Sequence, residues 1–407
     1  MRFITMGRTD PGQPERSTAP PCPHRRRGGK IVVLLLFALV VLAVLAVRYL
    51  RTSQAVNPVN GPPLKPSLAD EFRGVSIQFW SGSSKHPYEK YIREISRTGA
   101  NTICFVPHGY QENASSTSVF HDSRHTPTDE RFAELIRFAR KQKLRVMLMP
   151  IVLLENPRED EWRGKIRPTD WKHWWTSYTN FILRYAHLCE KAGADVLIVG
   201  SELLYTEEKE KQWRNLISQM RKVYRGRVSY SANWDHYRQI RWWDAVDIVG
   251  LTTYYDLTDD GRKKPTLENL QAEWKDIRTK ILTWQRKVNR PILFTEVGWP
   301  SQVTAAKEPW NYYGSEDSPD HDLQARCFEA FFRTWYDQEA MVGYLVWEWP
   351  NNSTMELTDP DKLKKDVGYV PCGKPAMDVI RKYNAKPAIR RRRATTQPFR
   401  KRQLKSR

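Results

Sequence analysis

Between residues 73 and 383 the chain repeats one unit eight times, a short apolar run followed by a segment of helical period, and few architectures accept that order. Runs such as Val196–Gly200 and Ile292–Thr295 are nearly continuous in apolar residues, as expected of a strand covered on both faces. The strand-like runs are Arg73–Phe79, Asn101–Val106, Val146–Val152, Val196–Gly200, Val228–Ala232, Ile248–Tyr254, Ile292–Thr295 and Val342–Trp347. Between and after them the helical period predicts helices over Tyr88–Thr98, Glu130–Gln142, Thr169–Lys191, Glu207–Tyr224, Leu267–Val288, Leu323–Tyr336 and Ala376–Tyr383, with a short helical turn near Trp242–Trp243. Eight strand-plus-helix units predict an α/β fold closed as a (β/α)8 TIM barrel, not an open doubly wound sheet. At 407 residues the chain has room for a barrel of about 250 residues with extensions.

Barrels of this kind build their sites from the loops that follow the C-terminal ends of the strands. The residues at those ends are Gln78, Phe79 and Trp80; His108; Glu155; Ser201 and Glu202; Asn233, Trp234 and Asp235; Tyr254, Tyr255 and Asp256; Glu296 and Trp299; and Trp347, Glu348 and Trp349. No Gly-rich phosphate loop follows the first strand, and no His/Asp set with dimetal spacing stands at the mouth, so dinucleotide and metal-hydrolase chemistry find no support. No metal ligand set and no cofactor is expected. Carboxylates, amides and aromatics together suit a carbohydrate cleft: aromatic faces cover sugar rings, planar polar groups bind hydroxyls, and acids break the bond. The chain holds 16 Trp, some for packing and some for such stacking.

Two lone glutamates end buried runs. Glu202 follows Val199-Gly200-Ser201, and Glu296 lies in Phe294-Thr295-Glu296-Val297-Gly298-Trp299. An ionised side chain at the end of a buried strand must be paired or solvated in a cleft. Glycoside hydrolysis needs one carboxyl protonated and one ionised, about 5–5.5 Å apart for retention and about 6.5–9.5 Å for inversion.

An acid/base Glu after the fourth strand and a nucleophile Glu after the seventh resembles glycosidase clan A, over Arg73–Tyr383. Gly74-Val75-Ser76, Val199-Gly200-Ser201-Glu202-Leu203, Ser231-Ala232-Asn233-Trp234 and Thr295-Glu296-Val297-Gly298-Trp299-Pro300 are most similar to family 113, whose characterised members are endo-β-mannanases. The resemblance implies Glu202 as general acid/base, Glu296 as nucleophile, Tyr254 or Tyr255 as hydrogen-bond donor to the nucleophile, and Trp347 as the floor of the subsite at the cleavage point. Trp80, His108, Ser201, Asn233 and Trp299 complete the expected substrate-binding set. Ser201 departs from the clan, which places Asn before the acid/base to bind the sugar's 2-hydroxyl; Ser201 or Asn233 is expected to take that contact. Glu348 is a rival carboxylate, Asp235 and Asp256 read as loop caps or hydroxyl binders, and Glu155 as a solvated loop acid.

The net charge of +20 divides unevenly: residues 1–51 carry +7 and residues 390–407 carry +9, leaving +4 for the rest. The basicity therefore belongs to the ends, and no specific nucleic-acid binding is expected of the core. Residues 1–30 read as a disordered basic segment, 31–50 as a transmembrane signal-anchor helix, 51–70 as a Pro-rich linker, 71–385 as the barrel and 386–407 as a basic disordered tail. Ile31–Val47 has no polar side chain and as a helix spans about 26 Å. Arg25, Arg26, Arg27 and Lys30 precede it, so the expected topology is an N-terminus in the cytoplasm and a barrel outside. Ser53-Gln54-Ala55 keeps a cleaved export signal as the alternative. The tail is either a solvated extension or a contact for anionic surfaces. The five cysteines are scattered and read as buried thiols rather than a disulfide framework. The expected function is that of a membrane-anchored retaining glycoside hydrolase acting on a β-linked glycan, mannan first. The alternatives are a noncatalytic carbohydrate-binding barrel and a transglycosylase.

Overall fold

A computed structural model of the chain describes residues 71–260, 264–311, 318–350 and 360–387. The expected segments 1–30, 31–50 and 51–70, and all but two residues of the tail 386–407, lie outside them. Among the described residues no helix is long and apolar enough to cross a membrane.

Eight parallel strands close into a barrel: β1 (Phe72–Gln78), β2 (Thr102–Val106), β4 (Arg145–Leu148), β6 (Val196–Ser201), β7 (Arg227–Ala232), β8 (Ile248–Thr252), β9 (Ile292–Val297) and β10 (Met341–Val346). Around the ring the order is β1-β10-β9-β8-β7-β6-β4-β2, so β6 stands opposite β10 and three places from β9. The main outer helices are α1 (Tyr88–Ser96), α2 (Asp129–Lys141), α3 (Trp171–Ala192), α5 (Glu210–Arg221), α6 (Leu267–Val288), α7 (His321–Trp335) and α9 (Pro375–Asn384). Two short helices, α4 (Leu204–Glu207) and α8 (Pro360–Lys365), lie in loops. The expected Trp242–Trp243 turn is a 3-10 helix at Trp243–Ala245.

Strand alternation sorts side chains into two cores. Inside the barrel are Cys104, Val106, Met147, Ile198, Ile248 and Leu293. Between strands and helices lies an aromatic layer in which Trp213 stacks on Trp242 and Trp174 on Tyr178. Much of the tryptophan content therefore serves packing. Four cysteines, Cys104, Cys189, Cys327 and Cys372, are buried free thiols.

Two sequence-based boundaries need correction. The run Val146–Val152 is two strands, because Pro150 interrupts it after β4 and the chain resumes as β5 (Ile151–Leu154). Pro107 does the same after β2, and the resumed strand β3 (His108–Gln111) pairs in parallel with β5 above the rim. The helix expected over Glu207–Tyr224 is likewise divided into α4 and α5.

Candidate active site

The alternation of β6 and β9 is broken where the two glutamates stand. Between Ile198 and Ser201, β6 spends three residues against two of β7, and between Phe294 and Glu296, β9 spends two against one of β8. An extra residue in one strand turns the following side chains to the other face. In β9 this brings Glu296 into the barrel mouth, where strict alternation from the inward Leu293 would send it toward the helices. In β6 the irregularity relies on Gly200, since a Cβ there would lie 2.6 Å from the Tyr178 hydroxyl. Glu202 then adopts φ 53°, a left-handed conformation, while its N–H bonds the Ser231 carbonyl at 2.9 Å.

Glu296 is buried and held by two donors. The Tyr254 hydroxyl donates to Oε2 at 2.8 Å and the Ser201 hydroxyl to Oε1 at 3.3 Å, while Thr253 Oγ1 donates to the backbone carbonyl at 2.9 Å. Burial raises the Glu296 carboxyl above the usual carboxylate range, and the neighbouring Glu202 adds to the rise; Arg163, Tyr254 and Ser201 oppose it. Glu202 is buried too, and its Oε2 pairs with Arg163 Nη2 at 2.5 Å. Arg163 comes from a 3-10 helix, Arg163–Lys165, in the loop between β5 and α3.

Behind Glu202, α4 carries a second buried acid. Tyr230 donates to Glu207 Oε1 at 2.7 Å and accepts from the Leu203 N–H at 3.0 Å, tying the turn after Glu202 to β7. Burial pushes the Glu207 carboxyl up to about 8, with Glu202 and Asp235 adding to the rise against the Tyr230 bond.

Across the mouth, His108 Nε2 lies 3.0 Å from Gln78 Oε1, and Gln78 Nε2 donates to Glu348 Oε2 at 2.6 Å. Because the Gln78 amide gives its N–H to the carboxylate, its oxygen accepts and His108 donates from Nε2. Burial, then the Arg163 charge, depress His108 to about 3, so the ring is neutral at ordinary pH. Trp80, 42% exposed, leans on the His108 ring at 4.3 Å between centroids.

The structure thus brings Glu202, Glu296, Ser201, Tyr254, His108, Trp80 and Trp347 to one mouth, Trp347 packing partly against the interior core. It separates the two tyrosines: Tyr254 bonds Glu296, whereas Tyr255 donates to the Trp234 carbonyl at 2.8 Å and packs on Trp274. Asn233 is engaged within its own loop, donating to Asp235 at 2.9 Å. Trp299 is a correction. It is fully buried against Trp274, Phe328 and Phe331 in the outer aromatic layer, because the chain leaving β9 turns its side chain away from the cleft. Asp256 pairs with Lys307 at 3.2 Å, and Glu155 is a loop acid 3.9 Å from Arg124. Arg163 and Glu207 escaped sequence reasoning: neither ends a strand, and no spacing marks them. Among the described residues no cluster of His, Cys, Asp and Glu could hold a metal ion.

A family model described as Glycoside Hydrolase Family 113 matches residues 80–374. Among solved structures, the family 113 β-mannanase AaManA from Alicyclobacillus acidocaldarius, in complex with ManMIm, is 27% identical with a TM-score of 0.68, over 77% of this chain and 97% of that one. A complex of a family 113 β-1,4-mannanase is 26% identical with a TM-score of 0.68, over 78% of this chain and 100% of that one. A family 5 mannosidase from Rhizomucor miehei shares the fold at 12% identity and a TM-score of 0.51, over 78% and 92% of the two chains. No curated protein matches the chain.

Proposed function

Since this chain belongs to glycoside hydrolase family 113, we propose that it is a retaining endo-β-mannanase working by double displacement through Glu202 and Glu296. The observation that carries the reading is the burial of both carboxyls at the barrel mouth, Glu202 just after β6 and paired with Arg163, Glu296 in β9 and held by Tyr254 and by Ser201, the residue next to Glu202 in the chain. Tyr254 and Ser201 fix the Glu296 carboxylate as it faces the anomeric carbon. Glu202 gives its proton to the leaving oxygen while Glu296 forms the glycosyl ester. A protonated Glu202 no longer opposes ionisation of Glu296, so proton donor and nucleophile become competent together. After the first step Glu202 is an anion, and Arg163 stands beside it to stabilise that charge until it takes a proton from the attacking water. That water opens the ester and frees Glu296.

The solved β-mannanases of the same family support mannan as the glycan. The apolar run Ile31–Val47 behind a basic cluster supports a membrane anchor at 31–50 with the barrel on the extracytoplasmic side. The charge of the 386–407 tail supports weak attraction to anionic surfaces.

The test is mass spectrometry of the protein incubated with an activated 2-deoxy-2-fluoro-β-mannoside, which slows release of the glycosyl ester. The expected result is one added sugar on the peptide containing Glu296, absent in Glu296→Ala. A label on Glu348 would overturn the assignment of the nucleophile; turnover of mannan with inverted anomeric configuration would overturn double displacement.

A further inference from the structure

The barrel is electrically polar along its axis. Because its eight strands are parallel, the connections from helix into strand lie at one end, the underside, and those from strand into helix lie at the other, the mouth. On the underside, the last turns of the outer helices and of the 3-10 turn, with the chain into the next strand, are residues 93–102, 138–145, 189–196, 218–227, 243–248, 285–292 and 332–341; they hold 15 Lys/Arg and seven Asp/Glu. At the mouth, residues 79–87, 107–128, 149–170, 202–209, 233–242, 253–266, 298–320 and 347–374 hold 17 Lys/Arg and 23 Asp/Glu. The underside is therefore net positive and the mouth net negative, a division concealed in the small total charge of the barrel.

The acids of the underside are engaged along the barrel wall, which leaves its lysines to solvent. Asp195 pairs with Arg140 at 3.0 Å, Asp247 with Arg221 at 2.5 Å and Glu190 with Arg225 at 2.5 Å. Lys141, Lys143, Lys191, Lys222 and Lys287 are exposed and enter no ion pair among the described residues. They come from the connections into β4, β6, β7 and β9, so the charge is spread along an arc of the ring and not gathered in a groove. The chain also enters and leaves the barrel here. Arg73, in β1, donates from Nη1 to the carbonyls of Asn384 at 2.6 Å and Lys386 at 2.5 Å, which sets the start of β1 beside the exit from α9. Further along the chain lie the apolar run Ile31–Val47 in one direction and residues 390–407, net +9, in the other.

Independently of the glycosidase chemistry, we propose that the underside of the barrel is a docking face for an anionic lipid surface, with the mouth turned away from the membrane. A charge spread over a broad face suits a plane of headgroups, and each exposed Lys adds attraction within about a Debye length of it. The negative mouth is repelled by the same plane, so the field by itself orients the barrel.

The experiment mixes the full-length protein with vesicles of neutral phosphatidylcholine, or of phosphatidylcholine with added phosphatidylglycerol, and reads brief lysine acetylation by mass spectrometry. With the anionic vesicles Lys143, Lys191, Lys222 and Lys287 are expected to react about fivefold or more slowly than with the neutral ones, the size of one Lys held at a charged surface. Lys85, exposed at the mouth, keeps its rate. Salt at about 0.5 M, where the Debye length is only about 4 Å, restores the rates of the four. The triple variant Lys143→Glu, Lys222→Glu, Lys287→Glu alters exposed residues alone and is expected to keep its Tm, while Lys191 loses its protection. Protection of Lys191 that persists in this variant would assign the contact to the 390–407 tail and overturn the proposal. Equal rates with both kinds of vesicle, or equal protection of Lys85, would overturn it too, as would protection by soluble polyglutamate and not by vesicles, which would give the face to an acidic polymer. Flotation with neutral vesicles reports the anchor at 31–50 separately: if that anchor fails, protection of the underside by anionic vesicles is still expected.

Discussion

Replacing Tyr254 by Phe removes one oxygen and leaves the ring, and the structure sets the size and sign of the effect. The lost bond is 2.8 Å from the Tyr254 hydroxyl to Glu296 Oε2 at a buried carboxyl, where a hydrogen bond to a charged group is worth about 1.5–3 kcal/mol. One pH unit corresponds to about 1.4 kcal/mol, so the bond shifts the ionisation of Glu296 by about one to two units. Its direction is known: Tyr254 lowers the Glu296 value, against burial and Glu202, which raise it. The nucleophile must be ionised, so activity falls as pH drops through its pKa, and Tyr254→Phe is expected to move that acid limb upward by about one to two units. At a pH inside the displaced limb, kcat/KM drops by about 10- to 100-fold; on the plateau the loss is smaller. The assay is the pH profile of kcat/KM on an activated aryl glycoside, whose good leaving group reduces dependence on the proton donor. An acid limb that stays in place or moves downward would refute both the role of Glu296 and the reasoning from its hydrogen bonds.

Three further outcomes concern the groups around the site. Glu207 has a folded-state value of about 8 against an ordinary 4.5, so the folded protein favours its protonated form. The stability this group contributes is complete below about pH 4.5 and is lost as pH rises toward about 8, so Glu207→Gln is expected to raise Tm more at about pH 8 than at about pH 5. An equal shift at both pH values would contradict the buried, protonated acid. Lys374 is buried, ion-paired with Asp366 and bonded to Ser301 Oγ at 2.8 Å, so Lys374→Met strands the Asp366 charge and is expected to cost about 3–5 kcal/mol in denaturant unfolding. A Cβ at Gly250 would lie 2.4 Å from the Tyr230 carbonyl oxygen on the neighbouring strand, so Gly250→Ala is expected to lower stability by about 1–3 kcal/mol, read in the same unfolding experiment.

The barrel was legible in the sequence because burial on both faces leaves a local signature. Runs such as Ile292–Phe294 and Val196–Val199 are apolar throughout, and their alternation with helical segments such as Leu267–Val288 admits one closed topology. The positions of Glu202 and Glu296 at strand ends were legible for the same reason: a lone acid interrupting such a run is conspicuous. Trp299 was misread because its sequence position, three residues past Glu296, says nothing of which way the chain turns on leaving β9. Tyr254 and Tyr255 were indistinguishable for a similar reason, since the end of a strand frees adjacent residues from strict alternation.

Local order in a chain is written in short-range patterns of polarity, and those were enough for the eight units, their sequence and the two acids. The facing of Glu296 depended on one extra residue in β9, visible only against the register of its neighbours. The pairing of Arg163 with Glu202, and of Gln78 with Glu348 across 270 residues of chain, arose from ring closure, which sets loops from distant strands side by side. Such contacts carry no periodicity along the chain because the residues that make them are neighbours only once the barrel has closed.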